Sequence, residues 1–171
     1  MRASQFCRER RLPITDWLWG TFAPAELRVH QGDRLFGCGE CLRACPRNKV
    51  VRPRTKPPAR LEGKTDQPEL IPLATADESY YRRVMPSFAR QAGVENLRAN
   101  VLVALGNLGD PAAVPALSET LHWPQGRIRA YSAWALGRIG GAEARSSLAR
   151  ALREESDPAV AGEIDRALSG T

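Results

Sequence analysis

"LRANVLVALGNLGDPAAVPAL", residues 97–117, and "IRAYSAWALGRIGGAEARSSL", residues 128–148, are two copies of one pattern set 31 residues apart. Arg98 aligns with Arg129, Ala99 with Ala130, Ala104 with Ala135, Leu105 with Leu136, Gly106 with Gly137, Gly109 with Gly140 and Leu117 with Leu148, seven identities without a gap. Self-similarity at such a period marks an array of one supersecondary unit. In the first copy Leu97, Val101, Leu105 and Leu108 form an apolar stripe at helical spacing. Gly109 then stands where a left-handed residue ends a helix, Asp110 is placed to cap the next one, and Pro111 suits its first position. Each unit reads as a helix, a glycine turn and a second helix. One such hairpin cannot bury its apolar face alone, so stacked copies must share a continuous core. A degenerate third copy, "DPAVAGEIDRAL" at residues 157–168, follows at about the same period and is placed to close the array.

Working outward, "DESYYRRVMPSFARQAG" at residues 77–93 supplies a further helix pair that carries Arg82, Arg83 and Arg90. Residues 76–171 are therefore predicted to be an α-solenoid of short repeats that resembles HEAT repeats of bacterial type. Residues 51–75 contain Pro53, Pro57, Pro58, Pro68 and Pro72 with little apolar periodicity and read as an extended, exposed linker. Residues 1–50 hold all four cysteines of the chain. The whole is mainly α, with two small cores or one good one within reach of 171 residues, and 43% hydrophobic content excludes wholesale disorder. "WLWGTF" at residues 17–22 is far too short to cross a bilayer or form the core of a secretory signal, so no membrane is expected and the default address is the cytoplasm.

Net charge is +6 and the sequence pI about 9.6. The excess is concentrated: Arg47, Lys49, Arg52, Arg54, Lys56, Arg60 and Lys64 face a single Glu62 between residues 47 and 64. That bias suits nucleic acid or, equally, a solvated linker. Arg82, Arg83 and Arg90 either solvate a helix face or join Arg98, Arg127, Arg129 and Arg138 in a basic surface along the solenoid that grips phosphates.

The cysteines carry the chemistry. Cys38, Cys41 and Cys45 with Pro46 form a C-x2-C-x3-C-P run, and Cys7 stands 31 residues before Cys38. In a reducing compartment such spacing indicates metal ligands or redox groups more than disulfides. Ferredoxin-like modules with two clusters use a C-x2-C-x2-C-x3-C-P run whose last cysteine ligates the other cluster. Here the first ligand of that run is missing and Cys7 is its natural substitute, so residues 1–50 read as half of a ferredoxin-like two-cluster module. Structural zinc sites usually bring two separated pairs. The unpaired Cys7 favours iron–sulfur, with zinc and unliganded redox thiols as the alternatives. His30 and His122 stand at ligand spacing from no other candidate and read as surface or core histidines. If Cys7, Cys38 and Cys41 serve one cluster and Cys45 the other, two clusters need four more thiolates, which another polypeptide would have to supply.

The order "C…WGTFAPAELRVHQGDRLFGCGECLRACPRN", a basic linker, then "SFARQAGVENLRANVLVALGN" and HEAT-like repeats is similar to the C-terminal part of epoxyqueuosine reductases. The resemblance runs from Cys7 to the repeats. The family is cobalamin-dependent, holds two 4Fe-4S clusters and is related to reductive dehalogenases. It reduces epoxyqueuosine to queuosine at the wobble position of tRNA. The resemblance thus implies Cys7, Cys38, Cys41 and Cys45 as cluster ligands and a basic helical face, with Arg82, Arg83, Arg98 and Arg129, as a tRNA platform. It also implies an electron donor. The residue between Pro46 and Asn48, usually aromatic in the family, is Arg47 here, a departure that points toward a paralogue with a different substrate. The family's cobalamin domain, catalytic acid and first ferredoxin motif have no counterpart in these residues. The chain is accordingly expected to be catalytically incomplete: a fragment, one product of a split gene, or a chain with an incorrectly assigned start.

No Ser/His/Asp or paired-carboxylate constellation is present, and no catalytic residue is assigned. Glu154 with Glu155 and Asp77 with Glu78 read as helix-end or surface charges. The reading that follows is an electron-transfer and tRNA-binding portion of an epoxyqueuosine reductase-like oxidoreductase. Its competitors are a non-enzymatic HEAT-repeat interaction module with one metal or none, and a ferredoxin-like paralogue with another redox partner.

Overall fold

A computed structural model describes residues 24–35, 69–85 and 93–170. Within them the elements are α1 (Ala25–Arg28) running into a 3-10 turn (Val29–Gln31), α2 (Leu70–Thr75), α3 (Glu78–Val84), α4 (Val94–Leu108), a 3-10 turn (Pro111–Ala113), α5 (Val114–Thr120), α6 (Gly126–Ile139), α7 (Gly141–Glu154) and α8 (Pro158–Ser169). The described residues are mainly helical and contain no strand. No helix among them is long and apolar enough to cross a membrane. Cys7, Cys38, Cys41 and Cys45, the body of the ferredoxin-like half-module, and linker residues 51–68 lie outside the described residues.

The repeat is realised as the sequence dictates. Gly109 adopts φ 69° and ψ 20°, the left-handed conformation that ends α4, and its N–H donates to the Leu105 carbonyl at 3.1 Å. Asp110 next accepts from the Ala112 N–H at 2.9 Å, with Pro111 opening the following turn. Asp157 repeats the device at α8, accepting from the Ala159 N–H at 2.9 Å ahead of Pro158. The third copy is therefore a helix with its own start signal.

The helices stack in two layers. α4, α6 and α8 pack side by side in the first, and α2, α5 and α7 line the second. Between them lies one core built from Leu97, Val101, Leu105, Leu117, Ile128, Leu136, Leu148 and Ile164, all at most 1% exposed. The aligned glycines explain the close spacing of the first layer. A Cβ on Gly106 would lie 2.8 Å from the Ala135 Cα, and one on Gly137 would lie 2.8 Å from the Ala167 Cβ. Each glycine admits the next helix of the layer where any side chain would collide.

Two expectations need correction. Leu108, the fourth member of the predicted stripe, is 56% exposed because α4 ends there and the chain turns away. The last six residues of the predicted linker, Leu70–Thr75, form α2. Pro72 is tolerated because it lies within the first turn of α2, where no intrahelical donor is required, and Leu73 and Ala74 are fully buried against the array.

Gly137→Val should lower the melting temperature, following a loss of about 1–3 kcal/mol from overpacking. Gly162, also helical, would place its Cβ no nearer than 3.8 Å to the Arg166 Nη1. Gly162→Ala should be neutral or stabilising by roughly 0.5–1 kcal/mol through helix propensity. Thermal unfolding followed by circular dichroism measures both.

Candidate functional site

The segment 24–35 is a strap laid across the first helix layer. Its one turn of α-helix and one of 3-10 helix are too short to hold themselves together in water. The array holds them instead. Arg28, 2% exposed, donates from Nη1 to Glu163 Oε2 at 3.1 Å and from Nη2 to Glu163 Oε1 at 2.9 Å, a bidentate bond across 135 residues of sequence. Its guanidinium lies over the rings of Tyr131 and Trp134, 4.8 and 5.7 Å from their centroids. Asn107 Nδ2 donates to the carbonyls of Arg28 and Gly32 at 2.9 and 3.0 Å, and Asn100 Nδ2 donates to that of Leu35 at 2.8 Å. Gln31 Nε2 reaches the Asn100 carbonyl at 3.0 Å. All three first-layer helices thus touch the strap: α4 through Asn100 and Asn107, α6 through Tyr131 and Trp134, α8 through Glu163.

Burial opposes ionisation of Glu163, but the hydrogen bonds and charge of Arg28, aided by Arg166, outweigh it and hold the carboxyl below the usual glutamate range. Arg166 Nη2 donates to the same Oε1 at 2.9 Å. The carboxylate is fully engaged and stays charged.

Of the four arginines expected to contact RNA, two are structural. Arg98 is 7% exposed. It donates to the carbonyls of Ala74 and Ala76 at the end of α2 and stacks between Tyr81 and Trp123, 5.3 and 4.2 Å from their centroids. Burial pushes its pKa down and that of the Tyr81 phenol up. Arg129, in the same phase, donates to the carbonyls of Trp123 and Pro124, each at 2.9 Å, after α5. It also pairs with Glu155 at 2.7 and 2.9 Å, and these bonds raise the arginine's pKa and lower the glutamate's. The repeated arginine therefore ties together successive ends of the second layer. Both guanidiniums are bonded within the array.

Arg82 and Arg83 are exposed. Arg82 donates to Glu78 Oε1 at 2.6 Å, and the Arg83 guanidinium lies over Tyr80 at 5.0 Å. Arg127 pairs with Glu95 at 3.1 Å, and Arg90 lies outside the described residues. Asp77 caps α3 by accepting from the Tyr80 N–H at 2.7 Å, and Glu155 serves Arg129, as helix-end charges should. His122 is a surface histidine, 3.8 Å from Glu154. Among the described residues no group of three or more His, Cys, Asp or Glu side chains converges on a metal position.

Sequence reading passed over a row on α7. Arg145, Arg150 and Arg153 are exposed and form no ion pair among the described residues. At 100° per residue they fall within an arc of about 140°. The opposite side of the helix buries Ala144, Ser147, Leu148 and Ala151. Exposed Arg138 at the end of α6 is likewise without a carboxylate partner there. The sequence signal was a helix with basic residues confined to one face.

A family model for HEAT repeats matches residues 87–169. Epoxyqueuosine reductase of Bacillus subtilis is 31% identical over 149 residues, 86% of this chain and 39% of that protein. The chain thus spans about two fifths of that relative's length. A solved structure of epoxyqueuosine reductase from Bacillus subtilis superposes with a TM-score of 0.74 at 29% identity, covering 90% of this chain and 42% of the other. An epoxyqueuosine reductase solved with an epoxyqueuosine-modified tRNA-Tyr stem loop superposes with a TM-score of 0.72 over the same shares at 29% identity.

Because the folded Glu163 carboxyl titrates below its unfolded value, its contribution is complete above the unfolded pKa and is lost as pH falls through the folded one. Glu163→Gln leaves Arg28 buried without a counter-charge and should cost about 3–5 kcal/mol at neutral pH. The gap in melting temperature between wild type and variant should shrink below about pH 4. Thermal melts across that pH range check the sign.

Proposed function

Since the chain belongs to the epoxyqueuosine reductase family and matches its C-terminal part, we propose that it is the electron-transfer and tRNA-binding portion of an enzyme that reduces epoxyqueuosine to queuosine in tRNA. What carries this reading is that one match spans both halves of the chain: 90% of it aligns with a reductase solved with a tRNA stem loop. Within the chain the strap, whose last residue Leu35 precedes Cys38 by three positions, is bound to the same helices that build the repeats.

The donor set fits an iron–sulfur role, since four thiols with this spacing suit cluster ligation and no histidine stands in the run. Cys7, Cys38, Cys41 and Cys45 would be the ligands, and a 4Fe-4S cluster bound there would supply one-electron transfer. Two clusters need four further thiolates, which we assign, with the cobalamin site, to a second polypeptide. An electron donor completes the partners.

For RNA, the arginines divide into those bonded inside the array and those exposed at its surface, of which Arg82 pairs with Glu78. Arg82, Arg83, Arg138, Arg145, Arg150 and Arg153 are the exposed cations of the second group. Phosphate contacts by such groups position an RNA without reading its sequence, and each contact releases counterions.

Two measurements test the reading. Anaerobic reconstitution should give iron and sulfide with a broad visible absorption band, and clean zinc stoichiometry instead would overturn the cluster assignment. Fluorescence anisotropy with a tRNA anticodon stem loop should show affinity falling steeply with salt, and replacing Arg145, Arg150 and Arg153 by Glu should weaken it about tenfold or more and flatten the salt slope by roughly 2–3. Unchanged affinity in that triple variant and in the Arg82→Glu, Arg83→Glu double variant would sink the platform.

A further inference from the structure

The strap presents a buried charge pair where apolar side chains would have filled the space at less electrostatic cost. Replacing a buried ion pair by well-packed hydrophobic groups is often neutral or stabilising, so stability alone does not explain Arg28 and Glu163. What the pair adds is register. Two N–H donors meet two carboxylate oxygens in one orientation, and the flat faces of Tyr131 and Trp134 set the plane of the guanidinium. A hydrophobic contact would tolerate sliding by a residue, whereas this arrangement does not. The side-chain amides repeat the constraint along the strap. They engage the carbonyls of Arg28, Gly32 and Leu35 from two positions a double turn apart on α4, Asn100 and Asn107.

We propose that Arg28 and Glu163 are positioning residues: their buried pair registers the strap, which ends three residues before Cys38 in sequence, on the repeat array, and this register slows the loss of iron from a cluster bound by the cysteines. This rests on the reading of the cysteines as cluster ligands. The geometry behind it stands on described residues alone. Segment 24–35 is anchored at two points, by Arg28 on α8 and α6 and by Leu35 on α4, and its own hydrogen bonds span only two short turns.

The test uses the full chain, reconstituted anaerobically with iron and sulfide, as wild type, Arg28→Met, Arg28→Lys, Glu163→Gln and the exchanged pair Arg28→Glu with Glu163→Arg. Hydrogen exchange of the amides in residues 25–35 and the rate of iron release to a chelator are followed together. In Arg28→Met and Glu163→Gln the strap amides should exchange about tenfold faster while those of α6 and α7 keep their protection. Iron should leave at least about threefold faster, as it does when groups that orient metal ligands are removed. Arg28→Lys, which keeps the charge and loses the fork, should fall between, and the exchanged pair should move both readouts back toward wild type. A loosened strap with unchanged iron release overturns the positioning role and leaves the cluster reading standing. Protection lost equally in the strap and in α6 and α7 reduces the pair to a general stabiliser and also overturns it. A wild-type chain that takes up no iron even with excess small-molecule thiol present to stand in for the four missing thiolates overturns both readings.

Discussion

The bond between Arg28 and Glu163 is the constraint on which the rest of the architecture depends. It joins the segment that precedes the cysteine run to the last helix of the array, and it closes over Tyr131 and Trp134 of the helix between. A solenoid holds together through contacts between neighbours only, so its ends are free to flex relative to each other. A strap bonded to α4, α6 and α8 at once removes that freedom, because bending the layer would stretch the contacts at one end or the other. The array becomes a rigid block by virtue of a segment outside it in sequence.

Inside the block, the same arginine performs the same task twice. Arg98 gathers the carbonyls at the end of α2, and Arg129 gathers those following α5. Each then reaches toward the next unit of the second layer, Arg98 by stacking on Trp123 and Arg129 by pairing with Glu155. The next position in phase, 31 residues on, is Val160, fully buried. The third copy thus has an apolar contact at the position where the first two have the arginine.

The fold was legible in the sequence because a repeat states its rules more than once. Gly106 with Gly137 and Gly109 with Gly140 announce a close helix approach and a helix end, and the structure places each as the phase requires. The arginines were not legible for a related reason. Arg98 and Arg129 are repeated because they are structural, whereas recurrence of a cation along a solenoid looks the same as a binding surface when its partners are backbone carbonyls that no sequence pattern displays. The strap was hidden more deeply. "ELR" and "GDRLFGC" carried a resemblance, but the role of Arg28 depends on a glutamate 135 residues away, and the polar Asn100 and Asn107 within an apolar helix gave the one local hint of something docked there. Leu108 failed as a core residue because helical periodicity does not report where a helix stops facing its neighbour.

The division of the charges bears on function. Arg28 and Arg129 are paired with carboxylates and contribute little field beyond the protein surface, and Arg98 is bonded to carbonyls and stacked on aromatic faces inside the array. The unpaired, exposed cations on α6 and α7 are what an approaching polyanion meets. A net charge of +6 therefore understates the local asymmetry, since Glu155 and Glu163 are spent inside on arginines while Arg145, Arg150 and Arg153 stand outside together. Interior pairs of this kind are screened little by salt and surface cations strongly. The block should hold its shape under ionic conditions that screen the exposed cations, which separates the electrostatics that build this protein from those it presents to solvent.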